Sequence, residues 1–350
     1  MNQIWHLEWP HGAFDVHATG GMLGGVVLKC GDRAIRPFYE APWLGDDSVQ
    51  PPGLLGKMRS EFPCVPFGVP YAREAVMESW QESVDTSIDE HDHPLDESDD
   101  LQHGYACVGQ WSLVRQTPFE IAIALDYPPA SSIARVVRVI RADPQGPAID
   151  FSVSVEARKT TRRPVGVHPN LALPSMVGAM RIEPGDFRFG VVHPGGPEPG
   201  VSRAAPGATF DRLDQVPLRD GGVAAFDRFP LAHDTEEILQ LCGVDGSVLL
   251  TNDEHEVSYR LSWDASVLPS LLLWISNRGR TYSPWNGRNL CLGVEPVASA
   301  FELGCRAGLA VNPINERGVS TAITVSPDRA TEICYRFEIV NHSATDNPPF

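Results

Sequence analysis

The sequence has little positive charge. Its 350 residues include 28 lysines and arginines against 45 aspartates and glutamates, so the formal net charge is −17. A protein with this charge repels phosphate backbones and anionic lipid headgroups. Nucleic acids and membrane surfaces are therefore poor partners, and the sequence predicts a neutral small molecule as the ligand.

Paired cysteines and long apolar runs are also missing. The seven cysteines are scattered without a Cys-x-x-Cys motif, which argues against a disulfide framework and against a zinc knuckle. The longest apolar stretches, such as 267–275, are much shorter than the roughly 20 residues that a membrane-spanning helix needs. The N-terminal segment has no basic region followed by an apolar run, so no secretory signal is predicted. We therefore expect a cytoplasmic protein that does not enter a membrane.

Long amphipathic helices are scarce in the sequence. The nearest candidate, 72–84, lacks a convincing apolar stripe. Alternation of apolar and polar residues with a period of two recurs instead, in runs bounded by glycine, proline, aspartate or asparagine. The clearest predicted strands are 119–125, 134–140, 149–155, 257–263 and 331–339.

These strands indicate the fold class. One polar face on each strand favours antiparallel sheets over a buried parallel sheet. The 31 glycines and 31 prolines suit many tight turns between short elements. The sequence therefore predicts an all-β architecture, a sandwich or barrel of many strands, in a single domain over residues 1–350.

Two segments are predicted to be long loops, 85–100 and 193–209. The first contains His91, His93 and Glu97 at a spacing that resembles half of a cupin metal motif, and such side chains bind divalent metals. Pro94 and many aspartates interrupt the segment, which is not typical of a buried strand. We interpret it as a solvated acidic loop and predict no metal site, although incidental metal binding by the two histidines stays open.

Three other segments each contain one ionisable side chain in an apolar, turn-rich context. His103 lies in 102–107, His168 in 165–174, and Glu295 in the run LCLGVEPVASAF. A carboxylate in such a run is costly unless it is solvated or hydrogen-bonded. Buried carboxylates also tend to have raised pKa values, as a general acid or base requires. Taken singly, each histidine is more typical of a loop hydrogen-bonder than of a catalyst, and the glutamate is typical of an edge-strand residue.

Taken together and in this order, the segments resemble the galactose mutarotase-like family, which includes aldose 1-epimerases and hexose-6-phosphate epimerases. The resemblance covers roughly residues 15–340. Two further stretches are similar to segments of that family: 34–43, with its Ala-Pro-Trp turn, and 59–68, which begins with Arg59.

The resemblance implies a large antiparallel β-sandwich with a cleft on one sheet, and chemistry that needs no metal or other cofactor. Glu295 would be the base that takes the proton of the anomeric hydroxyl, and His168 the acid that protonates the ring oxygen. His103 and Arg59 would hold sugar oxygens. The residue types suit these roles, because glutamate is ordinarily ionised at neutral pH and histidine is poised to donate a proton.

The sequence departs from the family pattern at two positions. Hexose-6-phosphate epimerases usually have an arginine where this chain has Cys107, which makes a phosphorylated substrate less expected. The family's sugar-binding aspartate corresponds either to Asp234 or to Glu236, and we favour Glu236, which follows a threonine. Trp285 either stacks on the sugar or closes the edge of the sandwich. A basic pocket formed by other arginines stays open, and the candidates are Arg73, Arg278, Arg280 and Arg288.

Two functions from different classes follow. The first is a cofactor-independent aldose 1-epimerase acting on an unphosphorylated sugar. The alternative is a non-catalytic carbohydrate-binding or regulatory protein with the same fold, since one fold supports many functions. The oligomeric state is not predicted.

Overall fold

The structure, a computed structural model, describes residues 3–85 and 95–340. His91 and His93 lie outside these ranges, so their metal binding stays untested. The α-helices in the described ranges are short: α1 spans Glu78–Asp85 and α2 spans Gly304–Leu309. None of the described helices has the length and apolar character needed to cross a membrane.

Strands dominate the described residues. In chain order they are β1 (Ile4–Trp9), β2 (Gly12–His17), β3 (Leu23–Cys30), β4 (Arg33–Ile35), β5 (Pro63–Cys64), β6 (Ser112–Thr117), β7 (Glu120–Asp126), β8 (Ile133–Ala142), β9 (Ala148–Ala157), β10 (Thr161–Arg163), β11 (Val165–Val167), β12 (Asn170–Ala172), β13 (Met180–Pro184), β14 (Phe189–Val192), β15 (Thr209–Phe210), β16 (Val216–Pro217), β17 (Val223–Ala224), β18 (Arg228–Phe229), β19 (Thr235–Cys242), β20 (Ser247–Asn252), β21 (Val257–Trp263), β22 (Ser270–Asn277), β23 (Leu290–Ala298), β24 (Ile323–Val325) and β25 (Thr331–Val340).

Two large antiparallel sheets form the body of the fold. The nine-stranded sheet has the order β18-β13-β20-β21-β25-β9-β8-β7-β6, and the eight-stranded sheet has the order β15-β14-β19-β22-β23-β11-β5, with β12 also paired to β23. The smaller sheets are a four-stranded sheet with the order β1-β2-β3-β4, the pair β10-β24 and the pair β16-β17. Apolar side chains from both large sheets share one hydrophobic core between them. The predicted all-β antiparallel sandwich is therefore confirmed.

The strands predicted from alternation are confirmed at their positions. The run 257–263 is β21, three further runs lie within β8, β9 and β25, and the run 119–125 overlaps β7 from residue 120. Along β9, for example, residues 149, 151, 153 and 155 are buried while residues 150, 152 and 154 between them are half-buried, as expected for a strand with one face on the core.

The central strands of the eight-stranded sheet are buried on both faces. Leu239 on β19, Leu273 on β22 and Leu292 on β23 belong to the core between the sheets. Ile238 and Trp274, on the opposite face of β19 and β22, belong to a second apolar cluster. Because side chains alternate along a strand, polar residues on this second face are directed away from the main core. The candidate site lies on this face.

A buried polar cluster, formed by Glu61, Arg138 and Tyr335, connects the two large sheets. Arg138 on β8 and Tyr335 on β25 belong to the nine-stranded sheet, whereas Glu61 precedes β5 of the eight-stranded sheet. The Tyr335 hydroxyl donates to Oε1 of Glu61 at 2.6 Å, and Arg138 forms an ion pair with the same carboxylate. Arg138 also donates to the carbonyl of Gly21 at 2.6 Å. The cluster therefore fixes the position of one sheet on the other through charge-assisted hydrogen bonds.

Candidate functional site

A cavity of about 330 Å³ lies over the second face of the eight-stranded sheet. Strands β19, β22 and β23 and the loops around them form its walls. Of the residues predicted from sequence, the structure brings His103, His168, Trp285 and Glu295 together around it. The other lining residues used below are Tyr71, Glu198, Trp274, Arg280, Tyr282 and Glu302.

Glu295 is held on β23 in a nearly fully buried position. It lies beside Leu272 of β22 in the antiparallel register. A Cβ atom on Gly293 would come within 2.3 Å of Oε1 of Glu295, so glycine at 293 leaves the room that the carboxyl group occupies. Oε1 has no hydrogen-bond partner within the described protein. Burial and then the nearby charge of Glu302 raise the pKa of Glu295 well above its ordinary value.

His168 lies between β11 and β12, two short strands that both pair with β23. Its backbone N–H donates to the carbonyl of Phe62 at 2.9 Å, and its ring stacks on the Phe62 ring with the centroids 4.6 Å apart. These contacts place Nε2 of His168 at 3.4 Å from Oε1 of Glu295. Burial and then the neighbouring His103 lower the pKa of His168 well below 6.5.

His103 occupies a left-handed backbone position, with φ of 56°. Its N–H donates to the carbonyl of Gly68 at 2.7 Å. The ring packs edge-to-face on Phe67 and on His168, at centroid distances of 4.8 and 5.1 Å. Burial lowers the pKa of His103 to about 4, with a smaller opposing effect from Glu302. His103 is therefore neutral at physiological pH.

Burial shifts the pKa values of Glu295 and His168 against the protonation states that the residue types suggest. The roles inferred from sequence assume an ionised Glu295 and a protonated His168 at neutral pH. The pKa of Glu295 is instead raised and the pKa of His168 lowered, because burial disfavours the charged form of each. Burial therefore favours the form of the pair in which both side chains are uncharged.

The lowered pKa of His103 makes the stability of the fold depend on pH. Below about pH 6.5 the unfolded chain protonates this histidine while the folded chain does not, until about pH 4. Stability that is present above pH 6.5 is therefore lost on acidification. We expect a shift from about pH 7 to about pH 4 to cost the wild type roughly 3 kcal/mol more than it costs His103→Asn.

Urea unfolding at several pH values measures this difference. Asparagine is the suitable replacement because it tolerates the left-handed backbone at this position. Equal pH dependence in the two proteins would show that His103 titrates normally in the folded state.

Arg280 is the cation in the cavity wall, and two carboxylates hold it. Its Nε donates to Glu198 at 2.9 Å, and its Nη1 lies 3.2 Å from Glu236. Its guanidinium lies 4.8 Å from the centre of the Trp285 ring. Glu236 is fully buried behind Arg280 and does not line the cavity, and burial raises its pKa to about 7. Of the two carboxylates left open by the sequence, Asp234 is exposed and pairs with Arg278, whereas Glu236 supports the cavity wall.

Arg59 does not line the cavity. Its Nη1 lies 2.7 Å from Nε2 of His17, and its Nε donates to the carbonyl of Lys57. Met58, one residue earlier, does line the cavity. Arg59 therefore lies outside the described cavity lining, and its role in holding sugar oxygens stays a prediction, whereas Arg280 lines the cavity.

Trp285 packs against two other tryptophans. Its ring centre lies 4.8 Å from that of Trp43 and 6.3 Å from that of Trp274. Since Arg280 lies over the Trp285 ring, this indole supports the wall, and Trp274 on β22 is the other indole at the cavity.

Glu302 is a cavity residue that the sequence interpretation missed. It follows Glu295 by seven residues and interrupts the same kind of apolar run, so the local signal was present. Its partners, Tyr71 and His193, are far away in sequence and give no comparable signal.

Comparisons with known proteins identify the fold. No protein-family model and no curated protein sequence match the chain. Solved structures do match over nearly its whole length. An aldose epimerase homologue from C. elegans has a TM-score of 0.62 at 10% identity, with 97% of this chain and 99% of that chain covered.

Two further structures agree. A galactose mutarotase-like protein from Lactobacillus casei has a TM-score of 0.57 at 14% identity, covering 97% of this chain and 100% of that one. A galactose mutarotase related enzyme from Lactobacillus acidophilus has a TM-score of 0.57 at 13% identity, covering 99% and 100%. The chain therefore has the galactose mutarotase-like fold, as the sequence resemblance implied.

Proposed function

We propose that this protein is a cofactor-independent aldose 1-epimerase that interconverts the α and β anomers of a neutral sugar. The observation that carries the proposal is the pair formed by Glu295 and His168, whose facing atoms are 3.4 Å apart at a cavity. Both side chains are buried, and each has an atom without a hydrogen-bond partner in the described protein. Groups arranged in this way are typical of acid–base sites.

The reaction begins with the transfer of one proton between Glu295 and His168. Two further protons are then exchanged between this pair and the sugar. Movement of the proton from Glu295 to His168 gives a carboxylate and an imidazolium. The carboxylate takes the proton of the anomeric hydroxyl while the imidazolium protonates the ring oxygen, and the bond from C1 to the ring oxygen breaks. The open aldehyde rotates about C1–C2. Closure on its other face returns both protons and gives the opposite anomer.

Both protonation states of the pair have the same net charge. Proton transfer between Glu295 and His168 therefore needs no exchange with solvent, which suits a buried site. Acid–base groups held in position contribute about 10²- to 10⁴-fold to a rate. This is sufficient for a reaction that also proceeds unaided in water.

The charges around the cavity favour an unphosphorylated sugar. Arg280 is the only lysine or arginine among the described lining residues, and Glu198 and Glu236 already neutralise it. Cys107 is fully buried, with its thiol 3.0 Å from the carbonyl of His103, so it does not face a ligand. A phosphate group would meet the carboxylates of Glu198 and Glu302 without a free cation to compensate.

Anomer exchange followed by NMR tests the proposal. We expect the protein to accelerate exchange of one or more neutral aldoses above the buffer rate, and to leave their 6-phosphates at the buffer rate. Tryptophan fluorescence, which Trp274 and Trp285 make sensitive to ligands in the cavity, reports binding separately. Binding without acceleration would favour the alternative, a carbohydrate-binding or regulatory protein.

Arg280→Gln should weaken sugar binding. The substitution leaves the carboxylates of Glu198 and Glu236 without their shared cation, and it removes the guanidinium that covers Trp285. We expect a dissociation constant roughly 10-fold higher, as for loss of a charge-assisted contact. Fluorescence titration with neutral aldoses measures it.

Arg278→Gln is the matched control. Arg278 is two residues away but pairs with exposed Asp234 at the surface. Its replacement should leave sugar affinity unchanged. Equal effects of the two substitutions would show that Arg280 has no particular role at the cavity.

A further inference from the structure

A second polar group lies at the cavity besides Glu295 and His168: Glu302 with Tyr71 and His193. Glu302 lies on the turn between β23 and α2 and lines the cavity. The hydroxyl of Tyr71 donates to Oε1 of Glu302 at 2.8 Å, and Nε2 of His193 lies 3.0 Å from the same oxygen. Oε2 is buried and has no hydrogen-bond partner within the described protein.

Backbone N–H groups determine which ring nitrogen of His193 carries a hydrogen. The N–H groups of Gly195 and Gly196 both point at its Nδ1, at 3.1 and 3.0 Å. Because a nitrogen that accepts hydrogen bonds carries no hydrogen, a ring hydrogen of His193 lies on Nε2, which faces Glu302. The ring is fully buried and packs on Phe301 and Tyr71. His193 is therefore held rigidly, with Nε2 3.0 Å from Oε1 of Glu302 in an electrostatic contact whose geometry falls short of a hydrogen bond.

Tyr71 and His193 keep Glu302 ionised. Burial alone would raise its pKa, but the interaction with His193 and the hydrogen bond from Tyr71 hold the pKa of Glu302 below its ordinary value. Glu302 is consequently a fixed negative charge at the cavity, and its effect on the pKa of Glu295 shows that the two carboxyl groups interact.

A purely structural role for Glu302 does not explain why its Oε2 atom has no hydrogen-bond partner within the described protein. Buried carboxylate oxygens in folded proteins are almost always hydrogen-bonded, and an unpaired one is costly. Glu198, another carboxylate of the same cavity, has both Arg280 and Tyr282 as partners for its Oε2. A ligand hydroxyl would supply the donor that Oε2 of Glu302 lacks, and a neutral sugar presents such donors.

We propose that Glu302 binds the substrate by accepting a hydrogen bond from a non-anomeric hydroxyl of the sugar, with Tyr71 and His193 as positioning residues. The identification of the ligand as a sugar rests on the proposed function. The subsite selects a neutral aldose with a free hydroxyl at that position. Sugars that are deoxygenated, methylated or phosphorylated there are disfavoured, because each lacks the donor or adds negative charge.

Fluorescence titration of wild type and Glu302→Gln with D-glucose, D-galactose and their monodeoxy derivatives tests the subsite. We expect Glu302→Gln to bind the preferred parent sugar roughly 10- to 100-fold more weakly, as for loss of a hydrogen bond to a charged group. One deoxy position should weaken binding to wild type by a similar factor. That deoxy sugar should bind wild type and the variant equally, because both changes remove the same contact.

Two further variants complete the test. Tyr71→Phe retains the carboxylate and removes one of its donors, so its affinity for the parent sugar should fall by only about threefold. The same deoxy sugar should bind wild type and Tyr71→Phe equally. This variant also serves as the test if Glu302→Gln does not fold. Glu198→Gln is the matched carboxylate control, and its effect should be the same on the parent and on that deoxy sugar.

The outcomes separate this proposal from the proposed function. Unchanged affinities in Glu302→Gln, with anomer exchange accelerated by wild type, would overturn the subsite alone. The expected affinity pattern without any accelerated exchange would retain the subsite and overturn the epimerase proposal. Absence of binding to every sugar tested would overturn both.

Discussion

Glu295→Gln is expected to lower the protein-dependent rate of anomer exchange by about 10²- to 10⁴-fold, to nearly the buffer rate. Glutamine occupies the same space beside Gly293 but neither accepts the anomeric proton nor returns it. His168, 3.4 Å away, then has no partner with which to share a proton. Sugar binding should change much less than the rate, because the proposed role of Glu295 is in proton transfer.

Anomer exchange by NMR, with buffer catalysis subtracted, measures this effect. Glu183→Gln is the control, since Glu183 is a half-exposed carboxylate on β13 of the other sheet. Its rate should equal that of wild type. Exchange by Glu295→Gln within a few-fold of wild type would exclude Glu295 as the base.

Glu61→Leu is expected to destabilise the fold by about 3 to 5 kcal/mol, the range for removing one partner of a buried ion pair. Arg138 would remain fully buried with its charge uncompensated, and the Tyr335 hydroxyl would lose its acceptor. This loss is a large fraction of the total stability of an ordinary protein. Urea unfolding followed by circular dichroism measures it.

Replacing all three polar residues provides the control. In the triple variant Glu61→Leu, Arg138→Met, Tyr335→Phe no buried charge is left unpaired, so we expect most of the lost stability to return. A triple variant as unstable as Glu61→Leu would indicate that packing volume, and not the unpaired charge, causes the loss.

The strands were predictable because alternation is a local signal. The run 257–263 corresponds to β21 at both ends, and β8 and β9 extend their predicted runs by only a few residues. The antiparallel sandwich followed from that alternation and from the family resemblance, whereas the single domain over 1–350 stays a prediction. The order of strands in each sheet was not predictable, because pairs such as β23 with β11 join distant parts of the chain.

The candidate site was predictable only where a polar residue interrupts an apolar run. Glu295 and His168 gave that signal, and the structure brings them together. The lowered pKa of His168 was not predictable from its residue type, since it depends on burial and on the neighbouring His103. The contact of Tyr71 with Glu302 joins residues 231 positions apart, and no sequence pattern links them.

Some residues of the cavity lie on strands of the sheet and others lie on loops, and this difference affects how the protein can change in evolution. The carboxyl group of Glu295 lies on a central strand, in space that Gly293 leaves free, whereas Arg280 and Tyr282 lie on the segment between β22 and β23. Exposed connections tolerate substitution and insertion far better than strands buried on both faces. Under the proposed function, descendants of this gene are therefore free to acquire new sugar preferences through the loops while inheriting Glu295 and His168 unchanged.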